Sequence, residues 1–410
     1  MKLGEFSDRN KLALTLAAML GIGANAIPTY SLGLFLAPLS QEFGWTRAQV
    51  SLAVTITAAT VMLASPFVGR LIDRIGARRT VLTGSALGGI AIASVCLATD
   101  YRWYVAAWVA AGLAMSFSSP LVWTVPIART FSTNRGLALS IAFSGTNLTG
   151  MIAPLTSAAL IQAFGWRYAW AGISGLYLVM SLPLAILFFR DPGPARAAAT
   201  AEGPVVARPG KNLREAVATR EFWLFAGSFL LAGSSVMAIV MHFVPALTDG
   251  GLARYEAAGA LSALSLSALA GRIGSGWLFD RVFIPRLAAL TLAFPAAGCL
   301  ALATGITSGL LPYLYAVLIG LAVGAEMNVA SLLTARYFGF KAFAAIYGLL
   351  FGIFALGYTL GPVMAGFLYD IGGSYRLPLM VLAAGFAGSA TLLLLCRRYP
   401  EFESAAPLAA

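Results

Sequence analysis

The chain has 410 residues, of which 59% are hydrophobic and 10% are charged, and its mean hydropathy is +0.83. So apolar a composition excludes a water-soluble globular protein. The net charge of +11 does not indicate nucleic-acid binding, because the basic residues are scattered between apolar runs and not gathered on one face. Cys96, Cys299 and Cys396 lie within or at the end of apolar runs, so they predict neither disulfides nor a zinc site.

The chain begins with a short charged lead, which is followed by the first apolar run. This run contains Ala24-Asn25-Ala26, which formally resembles a signal-peptidase site. We expect the segment to be retained, because the apolar stretch continues to Leu36 and serves as the first of a series of spans.

Twelve apolar runs follow one another between charged residues and Pro or Gly breaks, and each is long enough to cross a hydrocarbon core of about 30 Å as a helix. They cover residues 12–37, 48–69, 80–98, 103–128, 136–163, 168–189, 221–247, 255–279, 287–307, 311–335, 342–368 and 376–396. Most of the 27 Lys and Arg residues lie in the two termini and in the loops that follow the even-numbered spans. By the positive-inside rule, both termini and the central loop are cytoplasmic. The expected fold class is an all-α membrane protein with twelve transmembrane helices.

The two halves of the chain resemble each other. Residues 190–220 are rich in Pro, Ala, Gly and charge, which predicts a cytoplasmic linker between an N-terminal six-helix bundle over 1–189 and a C-terminal one over 221–410. At a constant offset of 207 residues, Gly69, Asp73 and Arg74 correspond to Gly276, Asp280 and Arg281. A duplicated six-helix unit is a known transporter architecture, with its site between the halves near the midplane.

The loop after the second span carries a recognisable motif. It reads Gly69-Arg-Leu-Ile-Asp73-Arg74-Ile-Gly76-Ala-Arg78-Arg79, which resembles the G-x-x-x-D-R-x-G-x-R-R signature of the major facilitator superfamily. Asp73 at a helix end can face the positive N-terminus of a neighbouring helix, and the arginines can bind carboxylates or helix C-terminal carbonyls. We expect these residues and the related Asp280 and Arg281 to latch one conformational state. Ordinary positive-inside charges are the alternative interpretation of Arg78 and Arg79.

Three further stretches resemble the monocarboxylate transporters and their bacterial relatives, which include the oxalate/formate antiporters. They are Arg135-Gly-Leu-Ala-Leu, Gly271-Arg272-Ile-Gly-Ser-Gly-Trp-Leu-Phe-Asp280-Arg281, and Gly324-Ala-Glu326 followed by Arg336-Tyr-Phe-Gly. The resemblance implies that Arg272 binds the substrate carboxylate. Span 342–368 contains no Lys or Arg for a second carboxylate, and Ala268 stands where the animal family has an acidic residue. The first span also lacks a lysine, so the proton-coupling scheme of the animal family does not carry over.

Three ionisable residues lie within the predicted spans, namely Arg272, Glu326 and His242. A charge at the bilayer centre costs roughly 2.5–3.5 kcal/mol on insertion scales, so such residues are candidate functional sites. Counting from the helix ends, Arg272 and Glu326 lie about 12 Å and about 15 Å deep. Arg272 offers a planar fork for a carboxylate or forms a structural salt bridge. Glu326 either carries a proton in symport or packs between helices, and His242 either binds substrate and passes a proton or is structural.

Aromatic and amide side chains supply further candidates for the substrate site. Tyr347, Phe351, Phe354 and Tyr358 form one stripe on the eleventh span, which predicts helix packing, lipid contact or a cavity wall. Polar or amphipathic residues in mid-span either line the site or bridge helices, and these are Asn25, Trp123, Asn147 and Asn328. The glycines of the eighth span, Gly271, Gly274 and Gly276, predict close helix approach.

Together these features predict a monomeric, multi-pass transporter of the bacterial inner membrane. We expect a small monocarboxylate as substrate, a proton as its coupling ion, and no cofactor. Exchange of oxalate and formate, or of other organic anions, is the alternative within transport. A membrane receptor would need a large soluble sensory domain, and an efflux pump for cationic drugs would need an acidic binding cavity; the sequence indicates neither. An ATP-driven pump would need a phosphate-binding G-x-x-x-x-G-K-[ST] loop, which is absent from the sequence. One histidine and one buried acid form no catalytic cluster, so the sequence does not predict an enzyme.

Overall fold

The computed structural model describes residues 8–131, 135–189, 210–279, 284–339, 341–397 and 399–400. Some side chains within these helices, among them those of Asp73 and Asn328, lie outside the described part. Across the described ranges, every regular element is a helix apart from one bridge between Gly210 and Gly339. The chain forms two compact units, Met1–Gly203 with Arg254–Ser262 and Pro204–Ala253 with Ala263–Ala410. They are called the N-terminal and the C-terminal unit below.

The N-terminal unit is a bundle of long helices joined by short loops. Its helices are α1 (Arg9–Leu32), α2 (Leu36–Phe43), α3 (Arg47–Ile75), α4 (Ala77–Ser94), α5 (Tyr101–Ser116), α6 (Pro120–Thr130) and α7 (Arg135–Phe188). The loops supply N-caps whose side chains accept from the first helical turn, at Asp8, Thr46 and Asp100. These caps satisfy amide groups that would otherwise lack a partner where each helix begins.

The helices that contribute to the C-terminal unit follow the same pattern. They are α8 (Leu213–Val217), α9 (Arg220–Asp249), α10 (Arg254–Phe279), α11 (Ile284–Leu302), α12 (Leu311–Phe338), α13 (Phe343–Gly372) and α14 (Arg376–Leu394). The first residues of α10, up to Ser262, group with the N-terminal unit. Within the C-terminal unit, α9 packs mainly on α13, and α11 packs on α12 and α14.

Nine segments of the described chain are long and apolar enough to cross a membrane. One of them, Ala138–Phe188, has 51 residues, which is too long for a single crossing of about 30 Å. Gly165, with φ of 75°, divides it where the sequence places the loop between the fifth and sixth spans. The prediction of an apolar helical membrane protein is confirmed, whereas the count of twelve helices and the cytoplasmic position of both termini stay predictions.

The predicted apolar span over 103–128 agrees with a candidate membrane span at Tyr101–Ile127, but two helices form it and not one. α5 ends at Ser116 and α6 begins at Pro120, with Ser119 as its extended N-cap. Proline lacks the amide hydrogen that would continue the helix, and it disfavours helical backbone at the residue before it. The Ser119-Pro120 pair therefore breaks the helix in the middle of an apolar span.

The last part of the predicted linker is folded. Residues 190–209 lie outside the described ranges, whereas Lys211 donates its amide to the Phe338 carbonyl at 2.8 Å. α8 follows at once, and its capping box joins Asn212 and Glu215 through reciprocal hydrogen bonds. This segment is thus tied to the end of α12.

Close backbone contact holds α1 against α7. A Cβ atom on Gly23 would lie 2.8 Å from the Gly145 carbonyl oxygen, and one on Gly145 would overlap the Met19 carbonyl oxygen. Small residues let two helices approach closely in an apolar medium, where van der Waals packing stabilises their association. This contact fixes the part of α1 that carries Asn25.

Candidate functional site

Arg272 lies on α10 where this helix is in backbone contact with α12. A Cβ atom on Gly324 would overlap the Ala268 carbonyl oxygen and lie 2.8 Å from the Arg272 amide nitrogen. A Cβ atom on Gly271 would overlap the Leu321 carbonyl oxygen. Two glycines, one on each helix, therefore hold the backbone of Arg272 in a fixed position, and the close approach predicted for Gly271 is confirmed.

The other two glycines of this span do not share that role in the described part of the chain. Gly274 has open space around it, with no described atom within 4 Å of a built Cβ atom, so the predicted close approach is wrong at this position. Gly276 lies where side-chain surroundings are not described.

Glu326 faces the interior of the C-terminal unit from α12. It lines a cavity together with Ala322, Val329 and Ala330, and the spacing of these four residues defines one face of a helix. Gly324, two residues away, lies about 200° around the helix from Glu326 and packs on α10. Glu326 thus points toward the cavity and not toward the packed face of α10.

The cavity lies among α9, α11, α12, α13 and α14. Its empty volume, including the open space at its mouth, is about 500 Å³. Its lining includes Phe351 and Phe354 from the predicted aromatic stripe. Phe351 and Phe354 thus line a cavity within the C-terminal unit, while their contact with the substrate stays a prediction.

The aromatic stripe itself is continuous. Tyr347, Phe351, Phe354 and Tyr358 follow one another with ring centroids 6.0, 6.0 and 5.3 Å apart. Phe351 is 40% exposed, whereas Phe354 is 6% exposed. The stripe thus runs from an accessible ring to a buried one on the same helix.

His242 is buried between three helices of the C-terminal unit. Its Nε2 lies 2.9 Å from the Pro362 carbonyl oxygen and its Nδ1 lies 2.8 Å from the Tyr375 hydroxyl. Because a carbonyl only accepts, Nε2 carries the hydrogen and donates to Pro362, while in the neutral ring Nδ1 accepts from Tyr375. The ring joins α9 to α13 and to the residue before α14. This arrangement favours the structural alternative for His242.

Asn25 is part of a polar network at the break between α5 and α6. Its Nδ2 donates to the Ser118 carbonyl and, at 3.2 Å, to the Gly21 carbonyl. The Ser118 hydroxyl lies 3.2 Å from the Asn25 Oδ1 and 2.7 Å from the Tyr177 hydroxyl. The backbone carbonyl exposed by the helix break is thereby satisfied inside the protein, as a membrane requires.

Trp123 and Asn147 are deeply buried in the N-terminal unit, at 0% and 3% exposure. Trp123 packs edge-on against Phe189 with centroids 5.0 Å apart, and its ring fills the space over Gly21. Among the described residues, neither Trp123 Nε1 nor Asn147 Nδ2 has a hydrogen-bond partner. Both remain candidates for a polar contact, whereas the side chain of Asn328 lies outside the described part.

The motif between α3 and α4 has a clear physical basis at two positions. Gly76 adopts φ of 86° and ψ of 157°, a conformation that glycine alone adopts without strain. Arg78 donates to the Ile186 carbonyl at 2.7 Å, which confirms the predicted contact between a motif arginine and a helix C-terminal carbonyl. Arg74 is exposed. The predicted latch falls largely outside the described part of the chain. Asp280 and Arg281 are omitted from it entirely, and at Gly69 and Asp73 only the helical backbone is described.

The sequence did not single out one cluster of the N-terminal unit. Arg167 forms an ion pair with Glu42 at 2.6 Å and donates to the Cys96 and Ala98 carbonyls at 3.0 and 2.9 Å. Trp166 donates to the other oxygen of Glu42. The cluster joins α2, the end of α4 and α7 just after Gly165. The sequence shows one acidic and one basic residue near the ends of predicted spans. Only the fold shows that these two side chains, Glu42 and Arg167, form an ion pair.

Known proteins resemble this chain along most of its length. The family model of the Major Facilitator Superfamily matches residues 18–344. Monocarboxylate transporter 13 of Bos taurus is 29% identical over 377 residues, covering 89% of this chain and 84% of the relative. Monocarboxylate transporter 11 of Homo sapiens is 28% identical over 356 residues, covering 84% of this chain and 74% of the relative.

The fold also matches a solved transporter structure. A bacterial homolog of the human lysosomal transporter Spinster, in an inward-facing and unoccupied conformation, superposes with a TM-score of 0.71 at 18% identity, over 94% of this chain and 95% of that one. The family and these relatives are transporters and not enzymes. Because the family model spans most of the chain, the resemblance seen in the motifs is confirmed, and the protein belongs to the major facilitator superfamily.

Proposed function

We propose that the protein is a secondary active transporter of small monocarboxylates of the lactate or pyruvate type. It works as a proton symporter by alternating access, and Arg272 binds the substrate carboxylate. The observation that carries the proposal is the position of Arg272 on α10, where Gly271 and Gly324 fix its backbone by direct contact between α10 and α12. The names of the relatives, which are monocarboxylate transporters, support the substrate class.

A guanidinium group at this depth suits a carboxylate substrate for two reasons. A charge within the bilayer costs about 2.5–3.5 kcal/mol on insertion scales, and an anionic ligand offsets part of that cost. The planar fork of arginine also makes two parallel hydrogen bonds to one carboxylate, which lysine cannot do. A small acid bound to Arg272 would therefore be both neutralised and oriented.

Glu326 is the proposed proton carrier. Gly324, two residues before Glu326 on α12, packs against the backbone of Arg272, so a substrate anion that neutralises Arg272 makes the ionised form of Glu326 less favourable. Proton uptake at Glu326 and anion binding at Arg272 then favour each other, which is the linkage that symport requires. Substrate and proton together add no net charge, so the loaded protein can change state as readily as the empty one.

The proposal is tested by uptake into proteoliposomes. Labelled lactate, pyruvate, acetate and oxalate are offered with and without an inward proton gradient, to the parent protein and to Arg272→Ala and Arg272→Lys. We expect gradient-driven uptake of the monocarboxylates by the parent, loss of uptake in the alanine variant, and weak uptake in the lysine variant. Arg286→Ala, which removes an exposed arginine from α11, is the matched control. Normal monocarboxylate uptake by Arg272→Ala would exclude the proposed binding role.

The role of Glu326 has a separate measurement. In Glu326→Gln we expect counterflow of monocarboxylate between two equal pools to persist, because this exchange moves no net proton. Accumulation driven by the proton gradient should be lost in the same variant. If Glu326→Gln accumulates substrate like the parent, another group carries the proton. Strict dependence of all uptake on a trans anion would instead support an organic-anion antiporter.

A further inference from the structure

The cavity of the C-terminal unit is separate from the helix that carries Arg272. Its walls come from α9, α11, α12, α13 and α14, and no described residue of α10 lines it. Its empty volume, together with the open space at its mouth, is about 500 Å³. The proposed function uses Glu326 of the cavity wall as the proton carrier, but it places no ligand in the cavity itself.

Most of the wall is apolar, and the hydroxyl groups in it are already satisfied. The Ser228 and Ser389 hydroxyl oxygens lie 2.7 Å apart, and each also lies within hydrogen-bond distance of the carbonyl oxygen of the other residue, at 3.2 and 2.9 Å, so the two hydroxyl hydrogens are shared among these three contacts. Thr291 donates to the Ala288 carbonyl at 2.8 Å. These hydroxyls tie helices together or bond within one helix, so a ligand has little to gain from them.

Glu326 is different from these polar neighbours. It is the one charged residue among the described lining residues, and its Oε2 is buried with no hydrogen-bond partner in the described part of the chain. An ionised carboxylate in apolar surroundings needs a partner, because the desolvation cost is otherwise uncompensated. A ligand that brings a positively charged donor supplies that partner.

The aromatic side chains of the cavity wall also suit a positively charged ligand. Phe351 and Phe354 line it from α13, with ring centroids 6.0 Å apart, and Phe229 lines it from α9. Ring faces attract an ammonium group, and they also pack against an apolar ligand body. Phe351 is 40% exposed and Phe354 is 6% exposed, so the aromatic wall leads from the surface toward the interior.

We propose that this cavity binds a lipophilic organic cation, namely a primary or secondary ammonium with an aromatic or branched apolar body, whose ammonium group donates to Glu326. A neutral molecule of the same shape would fill the cavity without neutralising the carboxyl. An organic anion would be repelled by it. The site therefore selects for the charge opposite to that of the proposed transport substrate.

Binding of such a cation has a consequence that rests on the proposed function. The ammonium holds Glu326 in its ionised form, so the residue cannot take the proton needed for symport. The cation then inhibits gradient-driven uptake without competing with the carboxylate for Arg272. Binding itself does not depend on transport, and the two statements fail separately.

The test is equilibrium binding of tritiated 4-phenylbutylamine to the full chain in lipid nanodiscs, with binding to empty nanodiscs subtracted. We expect one saturable site, at least tenfold weaker competition by the neutral analogue 4-phenylbutan-1-ol, and at least tenfold weaker amine binding in Glu326→Gln. Glu256→Gln makes the same change at an exposed position and should bind like the parent. Ala322→Leu, which fills part of the cavity, should weaken binding of both the amine and the alcohol.

Three results would overturn the proposal. One is equal affinity for the amine and the alcohol, which would mean that charge has no role. Another is unchanged amine binding in both Glu326→Gln and Ala322→Leu, with each variant eluting and melting like the parent. The third is amine binding that is lost in Arg272→Ala but retained in Glu326→Gln, which would place the amine elsewhere. All three are read without any transport measurement.

Discussion

Replacement of His242 tests whether the single histidine of the chain serves helix packing or the transported solute. The change His242→Phe removes the 2.9 Å bond to the Pro362 carbonyl and the 2.8 Å bond to the Tyr375 hydroxyl. Each hydrogen bond contributes about 1 kcal/mol net, and more where a buried group loses its partner. We expect the free energy of unfolding to fall by about 2–3 kcal/mol, which lowers the Tm by several degrees. His242→Gln, which retains one donor, should recover part of the loss.

The measurement combines thermal unfolding of the purified protein with uptake by proteoliposomes. If the contact with Tyr375 matters, His242→Phe and Tyr375→Phe should be non-additive in stability, with a coupling energy of about 1 kcal/mol. Uptake per folded molecule should change little and should keep its dependence on pH. A variant that melts like the parent but loses proton-dependent uptake would refute the structural interpretation and return His242 to the transport site.

Three further changes probe the packing around the candidate site. Gly324→Val places a side chain against a backbone carbonyl of α10, which should displace Arg272. We expect the KM for monocarboxylate uptake to rise at least tenfold, and an unchanged KM would contradict this expectation. Arg167→Ala breaks the ion pair with Glu42, in which the two side chains are 38% and 41% exposed, so the pair itself contributes at most about 1 kcal/mol. Thermal unfolding should therefore show a modest loss of stability, part of which comes from the two lost hydrogen bonds to carbonyl groups. Gly76→Ala forces a side chain into φ of 86° and should cost about 1–3 kcal/mol, whereas equal melting temperatures would show that the turn relaxes freely.

The helical architecture follows from the sequence because the membrane imposes simple rules. A run of apolar residues must be helical to satisfy its peptide groups, so the spans agree with the helices to within several residues at most ends. The break at Ser119-Pro120 was readable in principle, since proline disfavours helical backbone before it. The break was missed because the residues on both sides of it are apolar. An apolar run predicts that a segment lies within the membrane, but it does not show whether one helix continues through it.

The candidate site is less accessible to sequence reasoning because it depends on side-chain direction. A depth in the membrane can be predicted for Arg272 and Glu326 by counting residues, yet the cavity that Glu326 faces depends on which side of α12 packs on α10. The position of Gly324 decides this, and its contacts are visible only in the fold. For His242 the sequence shows a lone titratable residue, whereas its role depends on Tyr375, which lies 133 positions away in the chain.

The break in the fourth span and Glu326 occupy related places in the duplicated chain, since Ser119 and Glu326 are 207 residues apart. The N-terminal half thus places polar peptide groups at this point, and the C-terminal half places a carboxyl side chain there. A single codon change can remove a carboxyl group, whereas a backbone break survives most side-chain replacements. If Glu326 carries the proton as proposed, a single substitution at position 326 is enough to remove or restore proton coupling, while the N-terminal half stays unaltered.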